Sequence, residues 1–281
     1  GNAFQSALQA ELTKGDSFAA ARQRVVAALL SPSDAALLSD PNNTLGIEYG
    51  RALLRVGAAP ALFTIPRTGA AHDVTPENAG GYSASAIRHL LAEGRRADAL
   101  SWMVPAMRAV YEAEESAGRA PVFAAACERA ILARLRSMTP AEFDALDTGH
   151  EGVGQRLYNA SRNAATLDAV LDNAKTKRYA YARLRRMVLW AYLGLTPAKL
   201  PASVPYLRIL AANETGRALL GRMRKTARLP VITKPAAIRS LSPDAQRLFE
   251  TESRAADLYA LAYPELTEAC GSLWRQNPVM P

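Results

Sequence analysis

Apolar positions recur at helical spacing over most of this chain and in continuous strand-like runs over only three short segments. Phe4, Leu8 and Leu12 mark a first helix, Lys14-Gly15 ends it, and Asp16 or Ser17 caps the next, so residues 2–30 read as two helices. Ser39-Asp40-Pro41-Asn42-Asn43 has the chemistry of a turn. Leu45, Tyr49, Leu53 and Leu54 then share one side of a helix that Gly57 closes. Ala61-Leu62-Phe63-Thr64-Ile65 reads as a short strand, residues 66–82 as a polar loop, and Ser83 as the cap of a further helix holding Ser85, Ile87, Arg88 and Leu91. Helix, strand, loop and helix together make half of a doubly wound α/β domain. From about Arg95 helices dominate, near 104–116, 121–137, 166–173 and 175–194. Val204 to Leu210 is a second strand, Glu214 to Thr226 a helix and Pro230 to Lys234 a third strand, which together predict a βαβ unit with parallel strands. A last helix spans about 243–262. The expected fold is mainly α with minor β (α/β), divided into residues 1–95 and 96–281.

One helical segment carries chemistry as well as periodicity. Residues Lys175 to Met187 hold Lys175, Lys177, Arg178, Arg183, Arg185 and Arg186 and no acidic residue. At about 100° per residue, Lys175, Arg178, Arg185 and Arg186 fall on one face and Ala180, Leu184, Met187 and Val188 on the other. Such a helix docks on a core and presents a cationic stripe, for which a phosphate backbone is the usual partner. A solvated basic face without a partner is the alternative. Tyr179 and Tyr181 fit either base stacking or the edge of a core.

Composition points the same way. The 281 residues carry a net charge of +8 with 49% apolar residues, a balance that supports a core and favours polyanionic partners such as RNA, or an anionic membrane surface. A second basic cluster, Arg217, Arg222, Arg224, Lys225 and Arg228, also lacks acidic neighbours. Cys127 and Cys270 are too few for a disulfide framework and fit a reducing cytoplasm. The longest apolar run, Met187 to Leu195, is far short of a membrane span. Gly1-Asn2 without an initiator Met reads as the scar of a cleaved tag.

No complete catalytic or metal-binding set is visible. His72, His89 and His150 form no zinc pattern, and there is no Gly-x-Ser-x-Gly elbow or Gly-Lys-Ser/Thr phosphate loop. Gly152-Val153-Gly154 lacks the third glycine and the preceding strand of a dinucleotide site. Two helix entrances offer more. In Pro41-Asn42-Asn43-Thr44-Leu45-Gly46 one Asn suffices for capping, which leaves the other for a base or ribose. In Ser83-Ala84-Ser85-Ala86-Ile87-Arg88, hydroxyls, free N–H groups and a guanidinium make either a phosphate cradle or an ordinary cap followed by a solvent-facing Arg.

Several of these segments together resemble the bacterial tRNA(Met) cytidine acetate ligase family. Asp40 to Tyr49 is similar to its Pro-Asn-Asn-x-Leu-Gly-x-x-Tyr motif, and Ser83 to Arg88 to its Ser-Ala-Thr-x-Ile-Arg motif with Ser85 in place of Thr. Thr176 to Tyr179 and Arg183 to Met187 resemble its Thr-Lys-Arg-Tyr-x-x-x-Arg-Leu-x-Arg signature, the most specific match. The matches run in order over about 40–262. The resemblance implies a nucleotidyltransferase-like domain of Rossmann type, followed by a mostly helical domain. It implies activation of acetate, the co-substrate, by ATP with Mg2+ to give acetyl-AMP, and acetylation of N4 of the wobble cytidine of elongator tRNA(Met). By resemblance Asn43 and Arg67 contact ATP, with Ser83, Ser85 and Arg88 on the phosphate side. Lys175, Lys177, Arg178, Arg183, Arg185 and Arg186 then face tRNA. The family's His-x-Gly-His motif, which stabilises charge on the transferring phosphate, is absent from this sequence. The resemblance therefore implies the C-terminal part of such an enzyme, with half the nucleotide site, no catalytic residue of its own and no activity alone. Two alternatives are a non-catalytic RNA-binding module and a nucleotidyltransferase acting on a small molecule.

Overall fold

The computed structural model describes residues 2–15, 18–65, 83–146, 152–267 and 269–280. Helices predominate, and the chain divides into two compact units. One comprises residues 1–68 with 171–185, and the other residues 69–170 with 186–281.

In the first unit, α1 (Asn2–Leu12) and α2 (Phe18–Leu29) close on one another through Leu8, Ala21 and Val25, with Phe4 and Leu12 packed at the edge. Next comes α3 (Pro32–Leu37), capped by the Ser31 hydroxyl, which accepts from the Asp34 N–H. It is followed by α4 (Pro41–Val56), whose cap is Asp40. The Asp40 carboxylate accepts from the backbone N–H groups of Asn42 and Asn43, and Pro41 stands at the first helical position. Neither Asn is therefore the cap; both lie inside the first turn. No described side chain of α4 is fully buried.

The strand expected at 61–65 does not form. Residues 58–65 carry neither helix nor strand, and Phe63 and Ile65 are 91% and 92% exposed. A strand exists only against a partner's N–H and C=O groups, and none pairs with this run among the described residues.

The second unit begins with α5 (Ala84–Ala92), α6 (Arg96–Ser101) and α7 (Pro105–Ser116). Ile87, Leu90, Ala99, Leu100 and Met103 make their shared core. The helix predicted over 121–137 is shorter: a 3-10 turn at Ala124–Cys127 leads into α8 (Glu128–Ser137). Beyond it lie α9 (Pro140–Asp144), opened by a reciprocal Thr139–Glu142 capping box, and α10 (Val153–Asn163). The glycines of Gly152-Val153-Gly154 serve packing, not a dinucleotide. Gly152 is a left-handed cap at φ 79°, and Gly154 lets α10 approach the backbone of Asp144.

Two helices cross the division between units, α11 (Leu167–Ala174) and α12 (Tyr181–Leu193). The predicted helix over 175–194 thus starts only at Tyr181. Thr176 explains the delay: its hydroxyl accepts from the N–H groups of Arg178 and Tyr179, a local turn that competes with the helix. The apolar stripe survives in part, since Leu184, Met187 and Val188 are buried while Ala180 is exposed.

The βαβ unit forms as expected. Strand β1 (Leu207–Arg208) pairs in parallel with β2 (Val231–Ile232), Leu207 opposite Val231, and α13 (Glu214–Thr226) makes the crossover. Both strands are shorter than the apolar runs that encode them. Tyr206, Ile232, Ile238, Ala245 and Phe249 form the core beneath, with Phe249 and Trp274 edge to face at 4.6 Å. They bring in α14 (Pro243–Ala260) and α15 (Ser272–Arg275). No helix among the described residues is long and apolar enough to cross a membrane.

Candidate functional site

The structure splits the cationic segment into a turn and a helix start. In the turn, Lys177 and Arg178 are exposed, whereas Lys175 folds back and donates to the Thr176 carbonyl at 2.8 Å. On α12, Arg185 and Arg186 are exposed and Arg183 is half-buried. The Arg183 guanidinium lies 5.5 Å from the Tyr179 ring centroid, a cation–π contact. Tyr179 itself is buried, so it is a core aromatic and not a stacking platform.

Tyr181 organises the remainder. Its hydroxyl donates to the Asp172 carboxylate at 2.5 Å, while Lys175 and Arg185 stand 5.5 and 5.6 Å from its ring centroid. The quadrupole of the ring gathers two cations that would otherwise repel, and the Asp172 bond fixes the ring. Sequence periodicity missed Asp172 and Thr176, because one belongs to the preceding helix and the other acts through a turn. The exposed cations of the segment are Lys177, Arg178, Arg185 and Arg186, the first three in the first unit.

Among the residues expected on the ATP side, Ser83 is the cap of α5: its hydroxyl accepts from the Ala86 N–H at 3.2 Å. Ser85 and Arg88 are exposed, and Arg88 stands on the edge of a cleft of about 590 Å3 with Ile87, Met107, Tyr111, Phe123 and Tyr259. Arg119 and Glu114 form a two-pronged ion pair there, at 2.6 and 2.9 Å. That hydrogen bond from Arg119 holds the Glu114 carboxyl below the usual carboxylate range, and burial pushes the Tyr111 hydroxyl up. Asn43 is exposed in the first turn of α4. Arg67 lies outside the described residues.

Asn43 and the segment Lys175 to Arg185 thus belong to one unit, and Ser83, Ser85, Arg88 and Arg186 to the other. No group of three or more His, Cys, Asp or Glu side chains gathers to hold a metal ion among the described residues.

Comparison with known proteins extends the motif matches to nearly the whole chain. A family profile described as HIGH Nucleotidyl Transferase matches residues 1–272. A protein of Acetivibrio thermocellus named tRNA(Met) cytidine acetate ligase is 31% identical, over 99% of this chain and 70% of its own length. A protein of the same name from Thermotoga petrophila is 29% identical, over 95% and 68%. The apo crystal structure of Thermotoga maritima TmcAL superimposes with a TM-score of 0.91 at 25% identity, covering 100% of this chain and 71% of that one. The same protein bound with alpha-thio ATP gives a TM-score of 0.88 at 26% identity, covering 100% and 70%. The chain thus spans about 70% of the length of these relatives.

Proposed function

We infer, from the premise that this chain belongs to the HIGH nucleotidyl transferase family, that it takes part in ATP-dependent acetylation of a tRNA cytidine. The observation that carries this reading is the 31% identity to a tRNA(Met) cytidine acetate ligase over 99% of the chain. The likeness to a structure bound with alpha-thio ATP supports a nucleotide as co-substrate.

The reaction has two steps. A carboxylate oxygen of acetate attacks the α-phosphorus of ATP, pyrophosphate leaves, and acetyl-AMP forms. The N4 amine of cytidine then attacks the acetyl carbon, AMP leaves, and the nitrogen gives up a proton. Residues 1–95 handle ATP in this reading, through Asn43 and Arg67, with Ser85 and Arg88 toward the phosphates and Ser83 holding the start of α5. The exposed Arg88 guanidinium fits that role, since Arg binds phosphate oxygens with two parallel donors. Residues 96–281 handle tRNA, with Lys175, Lys177, Arg178, Arg183, Arg185 and Arg186 on its backbone. The relatives' name gives tRNA(Met), and the elongator form is the substrate in this reading. Mg2+ would enter with the ATP phosphates, since the described residues gather no group of three or more His, Cys, Asp or Glu side chains for it.

The test is transfer of labelled acetyl from acetate to an elongator tRNA(Met) transcript, with N4-acetylcytidine read by nucleoside mass spectrometry. Label in the wobble cytidine that depends on ATP is the expected result. A second reading, supported by the exposed Lys177, Arg178 and Arg185, is a non-catalytic RNA-binding module. Tight tRNA binding with no acetyl transfer would select it.

A further inference from the structure

A cleft of about 430 Å3 lies on the βαβ unit, lined by none of the residues assigned above. Three elements build it: one face of α13, the carboxyl end of β2, and the segment 277–280. Val279 holds that segment in place, donating its N–H to the Leu210 carbonyl and accepting from the Ala212 N–H. The crevice outside the carboxyl end of parallel strands is where open α/β sheets take ligands.

Arg217, Arg224 and Lys234 line this cleft, and Leu220, Pro278 and Met280 give it apolar walls. All three cations are exposed, and among the described residues none is ion-paired with a carboxylate. Around α7 the arrangement is the opposite: Arg96, Arg108 and Arg119 each pair with a glutamate. Uncompensated cations converging on a concave surface raise the local positive potential.

Gly221 is the second observation. It sits inside α13 on the cleft side, between Arg217 and Arg224. Glycine in a helix interior is less stable than alanine. Packing does not require it here, because a Cβ at Gly221 would meet nothing within 4 Å. What the missing side chain does provide is an open path into the cleft.

We propose that this cleft binds single-stranded RNA, with Arg217, Arg224 and Lys234 on successive phosphates and an unpaired base against Leu220, Pro278 and Met280. Arg217 and Arg224 stand seven residues apart, about 10 Å along the helix axis. A free phosphate does not span both, whereas a polynucleotide does. The apolar walls select an unpaired base over a duplex, whose bases are stacked inward. This site rests on the reading of the protein as a tRNA-modifying enzyme and extends it by a second contact region.

The test is fluorescence anisotropy of a labelled elongator tRNA(Met) transcript across a salt series, with the full chain. R217Q/R224Q/K234Q should weaken binding at least about tenfold, the worth of one charged hydrogen bond. It should also flatten the log–log salt slope by about 2 units, from three single-strand contacts. Gly221→Glu, which puts a carboxylate where the phosphate would lie, should weaken binding while the melting curve stays that of a folded protein. A wild-type chain without RNA affinity would sink the tRNA reading and this site together. Wild-type binding that both variants leave intact would overturn this site alone. A blunt RNA hairpin that competes as well as an unpaired oligonucleotide would overturn the single-strand assignment.

Discussion

Replacing Gly154 by alanine tests how closely α9 and α10 approach. A Cβ at Gly154 would lie 2.8 Å from both the Cα and the N of Asp144, backbone atoms that no rotamer change can move. To restore ordinary contact at 3.4 Å, α9 must retreat by about 0.6 Å, carrying Phe143, which is fully buried and packs edge to face on Tyr158. Overpacking of this kind costs about 1–3 kcal/mol, and the rigid neighbours put this case in the upper half of that range. Alanine recovers up to about 1 kcal/mol of helix propensity and chain entropy. The net expectation is a loss of about 1–2 kcal/mol, or roughly 2–8 °C in Tm for a chain of this size. Gly221→Ala is the internal control: with nothing near its Cβ, the same chemical change should raise stability by about 0.5–1 kcal/mol. Thermal melting followed by circular dichroism, with urea unfolding alongside, reads both variants. Gly154→Ala melting at or above the wild type would refute the close approach, and two shifts of the same sign would refute the contrast.

Other expectations concern the cationic surface, acid stability and the core of the βαβ unit. Neutralising the four exposed members, K177Q/R178Q/R185Q/R186Q, should flatten the salt slope of tRNA binding by about 3 units, read by anisotropy with duplex DNA as control. A folded variant with an unchanged slope would show that this surface is merely solvated. Glu115 is held below the ordinary carboxylate range by its hydrogen bond to Arg96, Glu114 by Arg119, and Glu142 by the Thr139 backbone N–H. Because these values are lowered in the fold, the stability they add is complete above the ordinary value of 4.5 and lost as pH falls below it through the folded values. Melting measured down a pH series should therefore stay level to that point and then decline, and Glu115→Gln should make the decline shallower. Phe249→Ala empties a fully buried site against Trp274 and should cost about 3–5 kcal/mol in urea unfolding.

Helices that carry their own boundary chemistry were legible from the chain. Asn213 and Ser242 cap α13 and α14, whose starts fall where the residue pattern places them. The parallel β1–α13–β2 order was equally readable, because apolar runs flank an amphipathic helix. Where a feature depends on a partner distant in sequence, local pattern misled. Residues 61–65 are apolar enough for a strand, but strand formation depends on an adjacent edge that those five residues do not contain. Lys175, Arg178, Arg185 and Arg186 were expected on one helical face, yet a turn closed by the Thr176 hydroxyl delays the helix to Tyr181. Tyr181 then regroups Lys175 and Arg185 through its ring. Gly152 and Gly154 lacked the rest of a nucleotide fingerprint, and their use is a helix start and a helix contact that no local pattern announces.

The first unit is discontinuous, and that orders events in time. Residues 1–68 reach their compact partner only when residues 171–185 have been made. At about 5–20 residues per second, translation of the intervening segment takes roughly 5–20 s. During that interval residues 1–68 are without the segment 171–185 that completes their unit. Slowing elongation between residues 69 and 170 would lengthen that interval.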